Sequence, residues 1–208
     1  MFVLGLTGSI GMGKSTAAAM FRRQGAAVHD ADAVVHALLG PGGAAVVPVA
    51  AAFDGVVEGV GQTAHIDRKA LGAQVFDDGE ALTRLEKILH PMVREAEDRF
   101  LRLMTRRGDH LVVLDIPLLF ETGAQVRCDA VAVVSAPAFV QEARVLSRPG
   151  MTPERLADIR ARQMPDTEKR RRADFVLPTG LGKATTLRAI GTVVRLVATQ
   201  AGHTWPPR

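Results

Sequence analysis

The 208-residue chain is long enough to bury a real core, and its 47% apolar and 23% charged residues are ordinary for a folded, soluble protein. No apolar run approaches the ~20 residues of a membrane span, so we expect no membrane segment, no signal peptide and a cytoplasmic location. The single cysteine, Cys128, excludes an internal disulfide, and the net charge of +4 suits an anionic ligand as well as nucleic acid.

The chain opens with an apolar run without alternation, Phe2–Leu6, which predicts a parallel strand buried on both faces. A glycine-rich turn and a helix over Lys14–Arg23 follow. Further strands are predicted at Ala26–Asp32, at the start of His110–Glu121, at Asp129–Ala136 and at Asp174–Pro178. Strands that alternate with helical stretches predict an α/β fold, here a doubly wound parallel sheet of five strands in a single domain, 1–208.

Two stretches are too long for simple connections between strands. Residues 37–107 show helical spacing and predict a helical insertion into a core formed by 1–36 and 108–208. Residues 139–172 form a second helical stretch, which is dense in arginine. The end of the chain, "HTWPPR" from His203, is expected to fray.

The segment from Gly8 to Ser15 fits the pattern G-x-x-x-x-G-K-[ST] between a predicted strand and a predicted helix. Its glycines let the backbone turn N–H groups toward phosphate oxygens at the positive end of the helix. The pattern therefore predicts a site for a nucleoside triphosphate. The residues expected to contact that ligand are Gly8, Ser9, Ile10, Gly11, Met12, Gly13, Lys14, Ser15 and Thr16.

Such a loop serves GTPases, motor ATPases and small-molecule kinases, and the rest of the chain favours a kinase. No N-K-x-D-like guanine reader is present. Asp30, Asp32 and Asp115 all follow predicted parallel strands, at the edge where ligands bind. Arg144 and Arg148 would share one helical face and could close over a triphosphate. Capping or solvation remains the alternative role for each acid, and a solvated helix surface for the arginines.

The ordered set of motifs resembles the dephospho-CoA kinase family over nearly the whole chain. The similar segments are "LTGSIGMGKST", "VHDAD", "IDRKALGAQVF", "LHPMVR", "DIPLLFETG", "QEARVLSR" and "RQMPDTEKRRRADFV". The resemblance implies transfer of a phosphoryl group from ATP to the ribose 3′-hydroxyl of dephospho-CoA. It also implies that 37–107 binds the acceptor and that 139–172 forms a lid.

The resemblance implies a role for individual residues as well. Asp32 would be the base, while Lys14, Arg144 and Arg148 would neutralise the moving phosphoryl group. Mg²⁺ would be held by Ser15 and, through water, by Asp115. The acceptor would be bound by Asp32, His36, His90, Arg94, Leu118 and Glu121. From the residues alone, His90 before Pro91 favours a helix start over a role in binding.

Two positions depart from the family pattern. Pro178-Thr179 stands where Asp-Asn is usual beside the adenine, so Thr179 and backbone groups would have to hold the base, and Pro149 follows the lid arginine. The alternatives to the main reading are a kinase for a nucleoside or a sugar acid, and a non-catalytic nucleotide-dependent switch or nucleic-acid binder. We expect a small-molecule partner, no nucleic-acid or membrane partner, and a monomer or weak homo-oligomer.

Overall fold

A five-stranded parallel sheet organises the computed structural model, which describes residues 1–76 and 78–206. The strands are β1 (Phe2–Thr7), β2 (Ala27–Asp30), β5 (Leu111–Asp115), β6 (Ala130–Ser135) and β7 (Phe175–Pro178). Their order across the sheet is β2-β5-β1-β6-β7. The predicted fold class is thereby confirmed. The central strands β1 and β6 are buried along their whole length, which explains why their sequences show no alternation.

Helices fill the connections between strands. They are α1 (Lys14–Arg23), α2 (Ala31–Leu39), α3 (Val46–Ala52), α4 (Arg68–Val75), α5 (Gly79–Arg107), α6 (Ala138–Leu146), α7 (Pro153–Ala161), α8 (Asp166–Arg172) and α9 (Lys183–Val197). A short antiparallel pair, β3 (Val57–Glu58) and β4 (His65–Ile66), lies between α3 and α4. In the described part of the chain, no helix is both long and apolar enough to span a membrane.

The chain divides into two compact units, Met1–His29 together with the chain from Leu101 onward, and Asp30–Phe100. The first unit has a core of sheet residues and the inner faces of α1 and α9, including Leu4, Phe21 and Ile190. The second has its own core, built around Val49, Phe53, Leu71 and Leu89. Each unit therefore buries apolar surface of its own, as an independently packed body requires.

The second strand is shorter than predicted. It ends at Asp30, whose side chain accepts a hydrogen bond from the N–H of Ala33 at 3.0 Å and so caps α2. Asp32 therefore lies in the first turn of a helix and not at the end of a strand.

The alternative that a helix starts at His90 is wrong. Helix α5 runs without interruption from Gly79 to Arg107 and contains Pro91 in its interior. A proline has no N–H to donate to the preceding turn, so one helical hydrogen bond is missing there.

The end of the chain is held in place, contrary to the fraying expected from the sequence. Asp129 Oδ1 accepts hydrogen bonds from the N–H groups of His203 at 2.6 Å and Thr204 at 2.9 Å. The indole N–H of Trp205 donates to Thr105 Oγ1 at 2.9 Å. The last two positions of the predicted frayed segment, 207 and 208, lie outside the described residues.

Candidate active site

The phosphate loop (Gly8–Ser15) joins β1 to α1 and depends on glycine at two positions. Gly11 has φ +75°, and a Cβ built on it would lie 2.5 Å from Cγ2 of Val145. Gly13, with φ +89°, immediately precedes the first residue of α1. Other residues rarely adopt this left-handed backbone, so only glycine lets the loop turn here without strain.

The first turn of α1 presents the groups that a phosphate needs. Ser15 and Thr16 are exposed, while Lys14 is partly buried. The first N–H groups of a helix have no partner within the helix, and the helix dipole is positive at that end. The loop and this turn together form an anion site with a cation, Lys14, at its edge.

Lys14 and Asp115 form a close ion pair, with 2.6 Å between Lys14 Nζ and Asp115 Oδ1. Asp115 is the last residue of β5, lies opposite Leu6 of β1 in the sheet, and is only 2% exposed. A buried carboxylate needs such a partner, because its desolvation would otherwise be costly. The structure thus brings together two of the residues predicted for the site.

The oxygen donors present fit a magnesium ion bound mainly through phosphate and water. Ser15 offers an exposed hydroxyl and Asp115 a carboxylate. Among the described residues, no group of three or more His, Cys, Asp or Glu side chains could form a cage for a metal ion. Mg²⁺ rarely uses such a cage, since it keeps several waters and takes one or two protein ligands beside substrate phosphates.

A cavity of about 380 Å³ adjoins the phosphate loop. It lies between the loop, α6 and the segment that leads from β7 into α9. Its lining residues are Gly11, Gly13, Thr16, Arg144, Arg148, Thr179, Gly182, Lys183 and Thr186. Arg144, Arg148 and Lys183 therefore line a cavity next to an anion site. Their positive charge is complementary to a polyphosphate ligand.

Arg144 is half-buried and engaged with the protein itself. Its guanidinium donates to the carbonyl oxygens of Thr179 at 2.7 Å and of Gly11 at 3.4 Å. Arg148 lies beyond the end of α6 at Leu146, so the prediction that it shares a helical face with Arg144 is wrong, but it is exposed and lines the same cavity. Both predicted arginines thus reach the cavity, but Arg144 is fixed there and Arg148 is the more accessible of the two.

The Thr179 side chain is turned inward. It is 8% exposed, and its hydroxyl lies 2.6 Å from the carbonyl oxygen of Met12 and 3.1 Å from that of Ser135. A hydroxyl has one hydrogen to donate, and these carbonyls compete for it. Thr179 therefore ties the phosphate loop to the end of β6, and its hydroxyl donor is already in use.

Two glutamines that sequence reasoning missed hold the backbone of Ile10 in the phosphate loop. The N–H of Ile10 donates to Gln163 Oε1 at 3.0 Å, and its carbonyl accepts from Gln141 Nε2 at 2.8 Å. Arg160 donates to Gln141 Oε1 at 2.9 Å and so orients that amide. The signals in the sequence were the positions of Gln141 in "QEARVLSR" and of Gln163 in "RQMP", which by themselves give no chemical role.

Glu121 is ion-paired within the protein. Its Oε1 lies 2.9 Å from Lys169 Nζ and accepts a hydrogen bond from the N–H of Met164 at 2.8 Å. Burial raises the pKa of Glu121, but these hydrogen bonds outweigh it and hold the pKa below its ordinary value. Lys169 is fully buried. Leu118, three residues before Glu121, is 39% exposed and free of such restraint.

Four consecutive basic residues, 169–172, end helix α8, and they differ in burial. Arg171 and Arg172 are exposed and donate to Glu168 at 2.8 Å and 2.6 Å, which lowers the pKa of Glu168 to about 2. Lys169, in contrast, points inward and is fully buried.

The remaining predicted acceptor residues lie in the second unit. Asp32 and His36 are exposed and one turn apart on α2, and the ring of His36 contacts Arg68 through Nε2. His90 and Arg94 are exposed and one turn apart on α5. Arg68, which the sequence did not single out, places a further cation beside His36.

Comparison with known proteins agrees with the motifs and the fold. A family model described as dephospho-CoA kinase matches residues 2–182. The dephospho-CoA kinase of Rhodospirillum rubrum is 62% identical over 188 residues, which cover 90% of this chain and 88% of that protein. That of Paramagnetospirillum magneticum is 65% identical over 170 residues, covering 82% and 78%.

A solved structure from Thermus thermophilus superposes with a TM-score of 0.81 at 35% identity, covering 96% of this chain and 98% of the other. The match extends over the phosphate loop, the insertion and the arginine-rich segment alike. The chain therefore belongs to the dephospho-CoA kinase family.

Proposed function

We propose that this protein transfers the γ-phosphoryl group of ATP to the ribose 3′-hydroxyl of dephospho-CoA, giving coenzyme A and ADP. The observation that carries the proposal is the 2.6 Å pair of Lys14 and Asp115 beside a complete phosphate loop, in a chain of this family. Phosphoryl transfer needs positioning and charge neutralisation more than covalent chemistry by the protein, and this arrangement supplies both.

The three cations Lys14, Arg144 and Arg148 would have different roles in binding the nucleotide. Lys14 is held by Asp115 and is ready to exchange this partner for the outer phosphates of ATP. Arg148 is exposed at the cavity and would move onto the transferring group as the lid, residues 139–172, closes. Arg144, fixed to Thr179 and Gly11, would keep the cavity wall in place while it adds positive charge.

Magnesium would be held by the Ser15 hydroxyl and, through a water, by Asp115. When bound it neutralises charge on the phosphates. Asp115 would then serve two partners in turn, Lys14 before the nucleotide binds and the hydrated ion afterwards.

Asp32 would accept the proton of the acceptor hydroxyl. Its side chain is exposed in the first turn of α2, where the helix dipole favours the charged carboxylate that a base must be. His36, His90 and Arg94 supply further polar and basic groups for an acceptor that carries a diphosphate. Glu121 is better suited to hold Lys169 in place than to contact the acceptor.

The activity is tested by ADP release from ATP·Mg²⁺ with and without dephospho-CoA. We expect strong stimulation by dephospho-CoA and little by nucleosides or sugar acids used at the same concentration. If a nucleoside or sugar acid stimulates as well as dephospho-CoA, the assignment of the acceptor is wrong. If no acceptor stimulates turnover, the protein is not this kinase.

The role of Asp32 is tested with Asp32→Asn. We expect kcat to fall about 10²–10⁴-fold while nucleotide affinity is kept, because only proton transfer is lost. Lys14→Ala should weaken both turnover and nucleotide binding. The matched control is Asp54→Asn, the same change at an exposed aspartate in the same unit. Wild-type kcat in Asp32→Asn would overturn the base assignment.

A further inference from the structure

Arg68 is an exposed cation beside the predicted acceptor residues of α2. It is the first residue of α4, and its Nη1 contacts Nε2 of the His36 ring. His36 follows Asp32, the proposed base, by one turn of α2. Arg68 therefore adds a positive charge beside the helix face that carries Asp32.

The core of the second unit holds α2 and α4 in place on either side of this contact. Leu71 follows Arg68 by about one turn of α4 and is 4% exposed. Leu39 follows His36 by about one turn of α2 and is also 4% exposed. Because both leucines belong to the same core, the packing keeps His36 and Arg68 close to each other.

In the described part of the chain, no carboxylate forms an ion pair with Arg68, whose polar partner there is the His36 ring. The ring brings no negative charge, since its Nε2 can accept a hydrogen bond only when the imidazole is neutral. A guanidinium has five N–H donors, and one ring nitrogen uses only part of them. Arg68 therefore keeps both charge and donors for an anionic ligand.

Arg99, another exposed arginine of the same unit, shows the ordinary surface arrangement. Its Nη2 lies 3.0 Å from Oε1 of Glu95, four residues earlier on α5. Exposed pairs of this kind contribute little to stability, but the carboxylate does neutralise the arginine. Arg68 differs from Arg99 in this respect.

The acceptor of the proposed reaction carries an anion that Arg68 could bind. In dephospho-CoA, a diphosphate is attached to the 5′-carbon of the same ribose whose 3′-hydroxyl would be deprotonated by Asp32. Asp32 and His36 are one turn apart, which is about 5.4 Å along the helix, so one ribose with its 5′-phosphate could span both positions. A planar guanidinium can bind two phosphate oxygens at once.

We propose that Arg68, with His36 beside it, binds the diphosphate of dephospho-CoA. The inference rests on the proposed kinase function and names a residue that selects its acceptor. Nucleosides and sugar acids, the alternative acceptors, have no diphosphate and would gain nothing from Arg68.

Steady-state kinetics of Arg68→Ala test this assignment. We expect KM for dephospho-CoA to rise about 10–100-fold, the effect of losing hydrogen bonds to a charged group. Both kcat and KM for ATP should stay close to their wild-type values, because the lost interaction contributes only to binding of the acceptor. A wild-type KM for dephospho-CoA, or an equal rise in KM for ATP, would overturn the proposal.

Two further variants separate the chemistry of Arg68 from a general effect on the fold. Arg68→Lys keeps the charge but not the planar fork, so its KM for dephospho-CoA should lie between those of the wild type and Arg68→Ala. Arg99→Ala removes an exposed arginine of the same unit and should keep the wild-type KM. A KM in Arg99→Ala as high as in Arg68→Ala would contradict a specific site.

Calorimetric titration of dephospho-CoA, with a non-hydrolysable ATP analogue present, distinguishes a failure of this proposal from a failure of the proposed function. Binding at least tenfold weaker in Arg68→Ala than in the wild type supports the diphosphate site even without turnover, and then only the kinase assignment falls. Equal affinity in the two proteins, or no binding to the wild type, contradicts the site. Stimulation of ADP release by dephospho-CoA would still support the kinase assignment in that case.

Discussion

Lys169 is a single residue whose position governs the surroundings of Glu121. Its side chain is fully buried, with Nζ 2.9 Å from Glu121 Oε1 and 3.4 Å from the carbonyl of Pro117. The same carbonyl accepts a 2.8 Å hydrogen bond from Thr7 at the end of β1. The pair therefore joins α8 to the turn after β5.

We expect the replacement of either partner of this ion pair to lower the free energy of unfolding. Lys169→Met or Glu121→Gln leaves one buried group without its partner, which costs about 3–5 kcal/mol in comparable pairs. The double variant should lose clearly less unfolding free energy than the sum of the losses in the two single variants, as measured by urea denaturation. The exposed pair Glu95–Arg99, 3.0 Å apart, is the matched control, with an expected coupling of about 0.3–0.5 kcal/mol. If the losses of unfolding free energy at Glu121 and Lys169 simply add, the two residues do not stabilise the fold as a pair.

The same pair predicts how stability depends on pH. Because the folded-state pKa of Glu121 lies below the unfolded value of about 4.3, its contribution is complete above that value and is lost as the pH falls through the folded pKa. The difference in unfolding free energy between wild type and Glu121→Gln should therefore shrink as the pH is lowered from 7 toward 3.

At the scale of elements, the lid segment is connected to the phosphate loop through Ile10. Gln141 comes from α6, Arg160 from α7, and Gln163 from the turn between α7 and α8. Within the part of the chain that the structure describes, both hydrogen bonds to the Ile10 backbone thus come from the arginine-rich segment, 139–172. A movement of that segment cannot leave the loop unaffected unless these bonds break.

Gln163→Ala tests this connection. Losing one hydrogen bond of about 1 kcal/mol should raise KM for ATP several-fold and change kcat little, since no group that touches the reacting atoms is removed. Gln24→Ala, at the exposed end of α1, is the matched control and should behave as wild type. An unchanged KM in Gln163→Ala would show that the connection does not position the loop for nucleotide.

At the scale of the molecule, Asp129 joins distant parts of the chain. One carboxylate oxygen accepts from the N–H of Val3 at 2.7 Å, at the start of the central strand. The other accepts from His203 and Thr204 in the terminal segment. Hydrogen bonds to a charged acceptor are stronger than those between neutral groups.

We therefore expect Asp129→Ala to lower the unfolding free energy by about 2–4 kcal/mol. A chain that ends at Gln200 should lose less unfolding free energy than Asp129→Ala, because the hydrogen bond from the Val3 N–H to Asp129 remains. Asp54→Ala, an exposed aspartate, is the control. Urea denaturation measures all three, and a truncated chain that is less stable than Asp129→Ala would show that other contacts of the terminal segment matter more.

Local patterns account for the parts of the molecule that the sequence predicted well. The helix Lys14–Arg23 has its predicted bounds because glycines stand on both sides of it, at Gly13 and Gly25. The central strands β1 and β6 were recognisable because parallel strands buried on both faces are continuous apolar runs. The fold prediction is confirmed for these physical reasons.

Contacts between distant residues had no such signal. Thr179 bonds Met12 across 167 positions, and Gln163 bonds Ile10 across 153. Periodicity says which face of an element is apolar, but it does not say which polar side chain will meet a given backbone group. For the same reason, the sequence placed Thr179 at the base and Glu121 at the acceptor, while the structure shows the Thr179 hydroxyl and Glu121 Oε1 engaged within the protein.

The hydrogen bonds of Asp129 bring the start of β1 and the terminal segment close together, which bears on the order in which the elements could be connected. Because Val3 and His203 bond the same carboxylate, the first strand and the terminal segment are neighbours in space. A short flexible linker could join the terminal segment, as far as the structure describes it, to the start of β1 without stretching the sheet. New ends could then be opened at the exposed turn around Gly59–Gly61, so the protein is suited to circular permutation.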